Sequence, residues 1–397
     1  MKKKTEMVDK YQKYVMPTYL RTNVVFVRGK GAKVWDSDGV EYLDFFPGWA
    51  VSGIGHCHKR VVAAIKEQAE KIIHVSNNYY NELQADLAET IVRHSFPGKV
   101  FFGNSGAEAN ECAIKLARKY GSKSGKYEII TMEKSFHGRT MATLTATGQS
   151  KVQKGFEPLV EGFKTVPFND FEAVKDAVTD KTVAVMLEPI QGEGGINVAD
   201  KEFLEKLRRF CDENEMLLIF DEIQTGMGRT GEMFCYKHFG VQPDVMTLAK
   251  SLGGGMPVGA TVAASRISDT LMPGTHASTF GGSPIVCAAA LATFAAIEKD
   301  HLLDNAKKMG AYLKSKLEEL AKEFFVVKNV KGIGLMAGAD LSIESMKVAE
   351  ECFRKRLLIN GTQTTVLRIM PPLTVSKKEI DQAMKILKEA ITRVRPE

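Results

Sequence analysis

Between about residue 95 and residue 265 the chain alternates short apolar, β-branched runs with longer stretches whose apolar residues recur at helical spacing. The runs are KVFFG, YEIITM, VAVMLEPI, MLLIFDE, DVMTLAK and GATVAAS, separated by segments such as EANECAIKLARKYG and KEFLEKLRRFCDENE. Apolar runs without polar alternation are strands buried on both faces, and strands spaced by helices are joined by crossovers. The pattern predicts an α/β fold with an open, mostly parallel sheet.

The last third changes character. HLLDNAKKMGAYLKSKLEELAKEF predicts a long helix, FVVKNVKG, LMAGADL and VLRIM short strands, and KKEIDQAMKILKEAITRV a terminal helix. The N-terminal KVWDSDGVEYLDF reads as strand, Asp-Gly turn and strand, too short to stand alone, and is expected to pack on the C-terminal part. The expected division is a large domain over 51–288 and a smaller α+β domain built from 1–50 and 289–397.

Charge and cysteine usage exclude several classes. The 54 basic and 48 acidic residues leave +6, spread along the chain apart from Lys2, Lys3 and Lys4, too weak a balance for a nucleic-acid partner. The opening MKKKTEMVDKYQKY lacks the apolar core of a secretory signal, and no run reaches the roughly 18 apolar residues of a membrane helix. A cytoplasmic protein without a membrane partner is expected. Cys57, Cys112, Cys211, Cys235, Cys287 and Cys352 are scattered and read as reduced thiols. His56-Cys57-His58 lacks a second ligand cluster at zinc spacing and reads as a structural turn, so no metal is expected.

In open α/β sheets ligands bind beyond the carboxyl ends of the strands. KVFFG runs into Asn104-Ser105-Gly106-Ala107 and a helix start, whose free N–H groups suit a phosphate, although a plain helix cap would look the same. MLLIF ends in Asp221, a carboxylate whose desolvation needs a compensating partner. DVMTLA ends in Lys250, before Gly253-Gly254-Gly255. A lysine partly buried there has a depressed pKa and can form a Schiff base, while a snorkelling surface lysine is the bland alternative. A phosphate cradle, an acid and an amine at neighbouring strand ends are together what pyridoxal phosphate requires.

These residues carry a resemblance. NSGAEAN, SFHGRT, EPIQGEGG, LIFDEIQTGMGRTG, LAKSLGGGMPVGA and HASTFGGSP stand in the order found in class III (ω-) aminotransferases, fold type I pyridoxal-phosphate enzymes, and the likeness runs from about Val34 to Val394. The resemblance implies Lys250 as the Schiff-base lysine and Asp221 as the partner of the pyridinium nitrogen. It implies Ser105, Gly106 and Ala107 at the phosphate, Phe136 and Ile223 on the two ring faces, and Gln224 beside the phenolic oxygen, although Phe136 and Ile223 would also suit a core. Thr279 resembles the threonine that reaches the phosphate of the partner subunit's cofactor, which implies a homodimer.

For substrates the resemblance implies an ω-amino donor such as N-acetylornithine, 2-oxoglutarate as acceptor, and a step of arginine biosynthesis. Arg139 and Arg368 are the carboxylate holders, Glu193 resembles the acid that covers Arg368 when only one carboxylate is present, and Ser278 joins this group. Either arginine alone would read as a surface ion pair. Trp49 stands where relatives using other amines carry a smaller aliphatic residue or a tyrosine, and its ring is expected at the substrate mouth. The rival from another class is a nucleotide-binding dehydrogenase, for which Gly332-Ile-Gly334-Leu-Met-Ala-Gly338 would be the fingerprint. That segment runs into a predicted strand, where a fingerprint must open a helix.

Overall fold

The computed structural model describes residues 2–395, with side chains from Thr5 onward; the side chains of Lys2, Lys3 and Lys4 lie outside it. Among the described residues, seven strands form the large sheet. In spatial order they are Gly98–Gly103, Gly259–Ala264, Val245–Leu248, Leu217–Asp221, Thr182–Leu187, Glu128–Met132 and Phe163–Val166. All neighbours pair in parallel except Gly259–Ala264, which runs antiparallel to both of its own. The four strands Thr182–Leu187, Leu217–Asp221, Val245–Leu248 and Gly259–Ala264 are buried at every position, as coverage on both faces demands. Each large apolar side chain there contributes about 1.5–3 kcal/mol by leaving water.

One consequence of the antiparallel strand governs the site. The parallel strands deliver Asp221 and Lys250 to one rim, and the reversed strand begins at that same rim with Gly259. A Cβ on Gly259 would lie 2.2 Å from the Ser105 carbonyl oxygen, so only glycine lets the two chain segments meet. The helix Gly106–Gly121 starts there, capped by the Ser105 hydroxyl, which accepts from the Glu108 N–H at 3.2 Å.

The C-terminal part is an antiparallel sheet in the order Val327–Ile333, Met336–Leu341, Val366–Ile369, Asn360–Thr362, packed by the helices Leu302–Glu323 and Ser345–Arg354, with the helix Lys377–Val394 lying on both. The terminal helix follows its pattern: Ser376 and Glu379 close a capping box, and Ile380, Ala383, Met384, Leu387, Ala390 and Ile391 are buried. The N-terminal strands Lys33–Asp36 and Glu41–Asp44 form the expected hairpin, and Glu41–Asp44 pairs in parallel with Leu357–Leu358 from the far end of the chain. The helix Pro284–Lys299 runs unbroken across residue 288, the expected domain boundary.

Two rival readings meet their structural context here. Gly332 and Gly334 turn a hairpin between Val327–Ile333 and Met336–Leu341 and open no helix, so the dinucleotide fingerprint is absent. His56 Nε2 bonds the Asp44 carboxylate at 2.8 Å and His58 faces Asp300 at 3.3 Å, so each histidine already has an acidic partner of its own.

Candidate active site

At the rim of the large sheet lies a cavity of about 490 Å³. Its lining includes Ser105, Gly106, Ala107, Phe136, Arg139, Glu193, Asp221, Ile223, Gln224 and Lys250, which come from five separate stretches of sequence. The same lining contains Asn104, His137 and Glu188.

Asp221 ends its strand with 3% of its surface exposed. One carboxylate oxygen, Oδ2, accepts from Asn110 Nδ2 at 2.7 Å and from His137 Nδ1 at 2.8 Å; the other accepts from the Ile223 N–H at 3.0 Å. These donors compensate the desolvation of the charge and fix its orientation toward the cavity. Burial opposes protonation of His137, but its hydrogen bond to Asp221 and the charges of Asp221 and Glu188 more than offset this and raise its pKa. His137 Nε2 is buried without a partner.

Lys250 follows the strand Val245–Leu248 and takes a left-handed backbone, φ 43°. Its amine has no hydrogen-bonding partner among the described residues. Burial lowers its pKa, against the pull of Glu193, Asp221 and Glu188. A neutral amine is thereby favoured, which is the nucleophilic and basic form.

Gly106 and Ala107 form the first turn of the Ser105-capped helix, where backbone N–H groups are free for an anion. A Cβ on Gly106 would lie 2.8 Å from Ile223 Cδ1, so Ile223 packs directly on this turn. Phe136 also lines the cavity, and its N–H donates to Glu188 Oε2 at 3.0 Å. Glu188 is buried, which pushes its carboxyl up to about 7. Gln224 is 7% exposed, and both polar atoms of its amide lack a hydrogen-bonding partner among the described residues.

Arg368 is 1% exposed and reaches the cavity through Glu193. Its Nη1 donates to Glu193 Oε1 at 2.6 Å and to the Gly192 carbonyl at 3.0 Å, while Nε donates to Asn360 Oδ1 at 2.9 Å. Arg139 also lines the cavity and is exposed, its guanidinium 5.4 Å from the Phe136 ring centroid. Trp49 does not line the cavity. It is half exposed and stands 5.4 Å from the Arg368 guanidinium, edge-on to Phe46. Ser278 and Thr279 also lie outside it, in a separate cleft with Asn104, Glu108 and His276; Ser278 Oγ accepts from Asn104 Nδ2 at 3.3 Å.

Residues 14–391 match the family model for aminotransferase class-III. The chain belongs to the class III aminotransferases. Among curated class III relatives, the acetylornithine aminotransferase of Caldanaerobacter subterraneus is 52% identical over 98% of this chain and 100% of its own length. That of Methanocaldococcus jannaschii is 51% identical over 98% of both. Among solved class III structures, the ornithine aminotransferase of Toxoplasma gondii superposes with a TM-score of 0.94 at 32% identity, covering 98% of this chain and 95% of the other. The N-acetylornithine aminotransferase of Stenotrophomonas maltophilia gives 0.84 at 36% identity, covering 97% and 98%.

Class III aminotransferases use pyridoxal phosphate, and the residues present fit it. A carboxylate held by three donors, an amine without a partner, a helix start with free N–H groups and an unpaired buried amide all face one cavity between Phe136 and Ile223. His137 and Asn110 carry no signal of their own in the sequence, because what distinguishes them is contact with the Asp221 carboxylate 84 and 111 positions away, and Glu188 is marked only by the Phe136 N–H it accepts from, 52 positions away.

Proposed function

We propose that the chain moves the δ-amino group of N-acetylornithine to 2-oxoglutarate, giving N-acetylglutamate 5-semialdehyde and glutamate, a step of arginine biosynthesis. The observation that carries this reading is the closed pair Arg368–Glu193, 2.6 Å apart at the cavity, with Arg139 exposed in the same lining. With the pair closed, one arginine remains for a donor that has a single carboxylate. With Glu193 swung away, two serve the dicarboxylates glutamate and 2-oxoglutarate. The names of the relatives at 51–52% identity favour the acetylated donor.

When bound, pyridoxal phosphate supplies a ring that takes up the electron pair released at the substrate carbon. Asp221 would hold the ring nitrogen and favour its protonated form, while His137 and Asn110 hold Oδ2 still. Lys250 Nζ, whose charged form burial disfavours, is the base that takes the proton from the substrate carbon and returns it. Phe136 and Ile223 would exclude water from the two ring faces, and the Gly106–Ala107 turn would hold the phosphate.

The proposal extends to assembly as a homodimer in the cytoplasm, in which Thr279, exposed beside Asn104, reaches the phosphate bound by the other subunit. Residues 51–288 would form the cofactor-holding body, with both chain ends in the smaller one. No helix among the described residues is long and apolar enough to cross a membrane.

Steady-state kcat/KM with 2-oxoglutarate across N-acetylornithine, N-succinylornithine, ornithine, lysine and 4-aminobutyrate tests the reading. N-acetylornithine should lead by roughly tenfold or more. Ornithine in the lead would favour the second reading, to which the 0.94 superposition on an ornithine aminotransferase points.

A further inference from the structure

The Glu193 side chain is held by Arg368, and its backbone is held by the same hairpin at a second place. The carbonyl oxygen of Glu193 accepts from Thr362 Oγ1 at 2.9 Å and from Gln363 Nε2 at 2.9 Å, filling both of its lone pairs. Thr362 ends the strand Asn360–Thr362, Gln363 and Thr364 make the turn, and Arg368 lies on the returning strand Val366–Ile369.

The turn is built in a way that only its contacts justify. Gln363 and Thr364 both have left-handed backbones, φ 47° and 64°, where hairpins ordinarily use glycine, asparagine or aspartate. The conformation is held from behind by Ser345, whose N–H and hydroxyl donate to the Thr364 carbonyl at 2.8 and 3.0 Å. From the front, Gly195 (φ 107°) lets the loop that carries Glu193 lie against the hairpin. A Cβ there would sit 3.2 Å from Val366 Cγ2 and 3.6 Å from Gln363 Cγ.

We propose that Thr362 and Gln363 are positioning residues that pin the Glu193 backbone as a fixed pivot, so that the gate opens by rotation of the Glu193 side chain and not by movement of its loop. The proposal rests on the reading of Arg368–Glu193 as the substrate gate. Arg368 keeps its bonds to the Gly192 carbonyl and Asn360 when Glu193 leaves, so the guanidinium stays presented to an incoming carboxylate. A pinned pivot also returns Glu193 to the same place each cycle, which a donor with one carboxylate needs and a dicarboxylate does not.

The test uses the holoenzyme and the double variant Thr362→Val/Gln363→Gly. Valine keeps the shape of threonine without its hydroxyl, and glycine suits a positive φ, so the clamp is removed without straining the turn. Hydrogen exchange over residues 190–198 should accelerate roughly tenfold. In single turnovers, KM for N-acetylornithine should rise roughly fivefold at little-changed maximal rate, with the glutamate half-reaction altered less than about twofold. Thr362→Ser, which keeps the hydroxyl, should behave as wild type. Unchanged exchange over 190–198, or equal damage to both half-reactions, would overturn the pivot. If the double variant does not fold, Thr362→Val alone is read by the same two measurements. Should the donor assignment be wrong, wild-type enzyme would already be slow with N-acetylornithine, whereas the exchange result stands without reference to any donor.

Discussion

His137 donates through Nδ1 to Asp221 Oδ2 across 2.8 Å, and both side chains are closed off from water. Although burial opposes charge on the imidazole, the bond to Asp221 and the neighbouring carboxylate charges leave its folded pKa above the ordinary 6.5. A group whose folded pKa is raised adds stability that is complete below its unfolded value and is lost as pH rises through the folded one. The urea midpoint of wild-type protein should therefore fall between about pH 6 and pH 9 by more than that of His137→Asn. Parallel pH profiles in the two proteins would mean that the imidazole is neutral throughout.

Replacing Asp221 by asparagine keeps the shape and removes the charge. Turnover should fall about 10²- to 10³-fold, chiefly in kcat, with the circular dichroism unchanged. Activity close to wild type would assign the ring nitrogen another partner.

Lys250→Ala removes the only group proposed both to attach the cofactor and to move the proton. The rate should drop by about 10³-fold or more. Borohydride reduction followed by mass spectrometry should show covalent cofactor on wild-type protein and none on the variant.

The two arginines should separate the half-reactions. Arg368→Ala should cost the glutamate half-reaction about 2–5 kcal/mol, as truncating one partner of a buried charge pair does, and spare the N-acetylornithine half more. Arg139→Ala should weaken both. Single-turnover absorbance with each donor in turn reads the difference, and equal losses from Arg368→Ala would remove the gate.

Gly106→Ala would place a methyl group 2.8 Å from Ile223 Cδ1. Ile223 must then shift at about 1–3 kcal/mol, and cofactor affinity should weaken roughly tenfold by equilibrium dialysis.

Periodicity carried most of the large sheet. Five of the six apolar runs are its inner strands, because strands covered on both faces spell out their burial residue by residue; the sixth, Gly98–Gly103, is an edge strand that its Val100, Phe101 and Phe102 mark. The seventh, Phe163–Val166, is an edge strand with one buried position, and FKTV has no pattern to separate it from a loop. The helix Pro284–Lys299 escaped for the opposite reason: PIVCAAALATFAAIEK is apolar on nearly every side, so it has no polar face to set a period. The direction of Gly259–Ala264 was equally hidden, since a buried strand reads the same in either sense. At the site, Lys250, Asp221 and the Gly106–Ala107 turn were legible because each breaks an apolar run at its end. The clamp of Thr362 and Gln363 on Glu193 was not, because two ordinary polar residues become informative only when folding brings them to a carbonyl about 170 positions away.

The parallel pairing of Leu43 with Leu357 has a meaning for synthesis on the ribosome. The Glu41–Asp44 edge emerges early, but its partner follows about 300 residues later, a wait of roughly 15 to 60 s at ordinary elongation rates. Throughout that interval a strand with unpaired N–H and C=O groups is presented to the cell, a hazard for association with other nascent chains. The large sheet, whose strands all lie between Gly98 and Ala264, can meanwhile assemble from residues already made. The strand that carries Arg368 is made after every residue that lines the cavity, so on the ribosome the pair Arg368–Glu193 can close only once the lining has been synthesised.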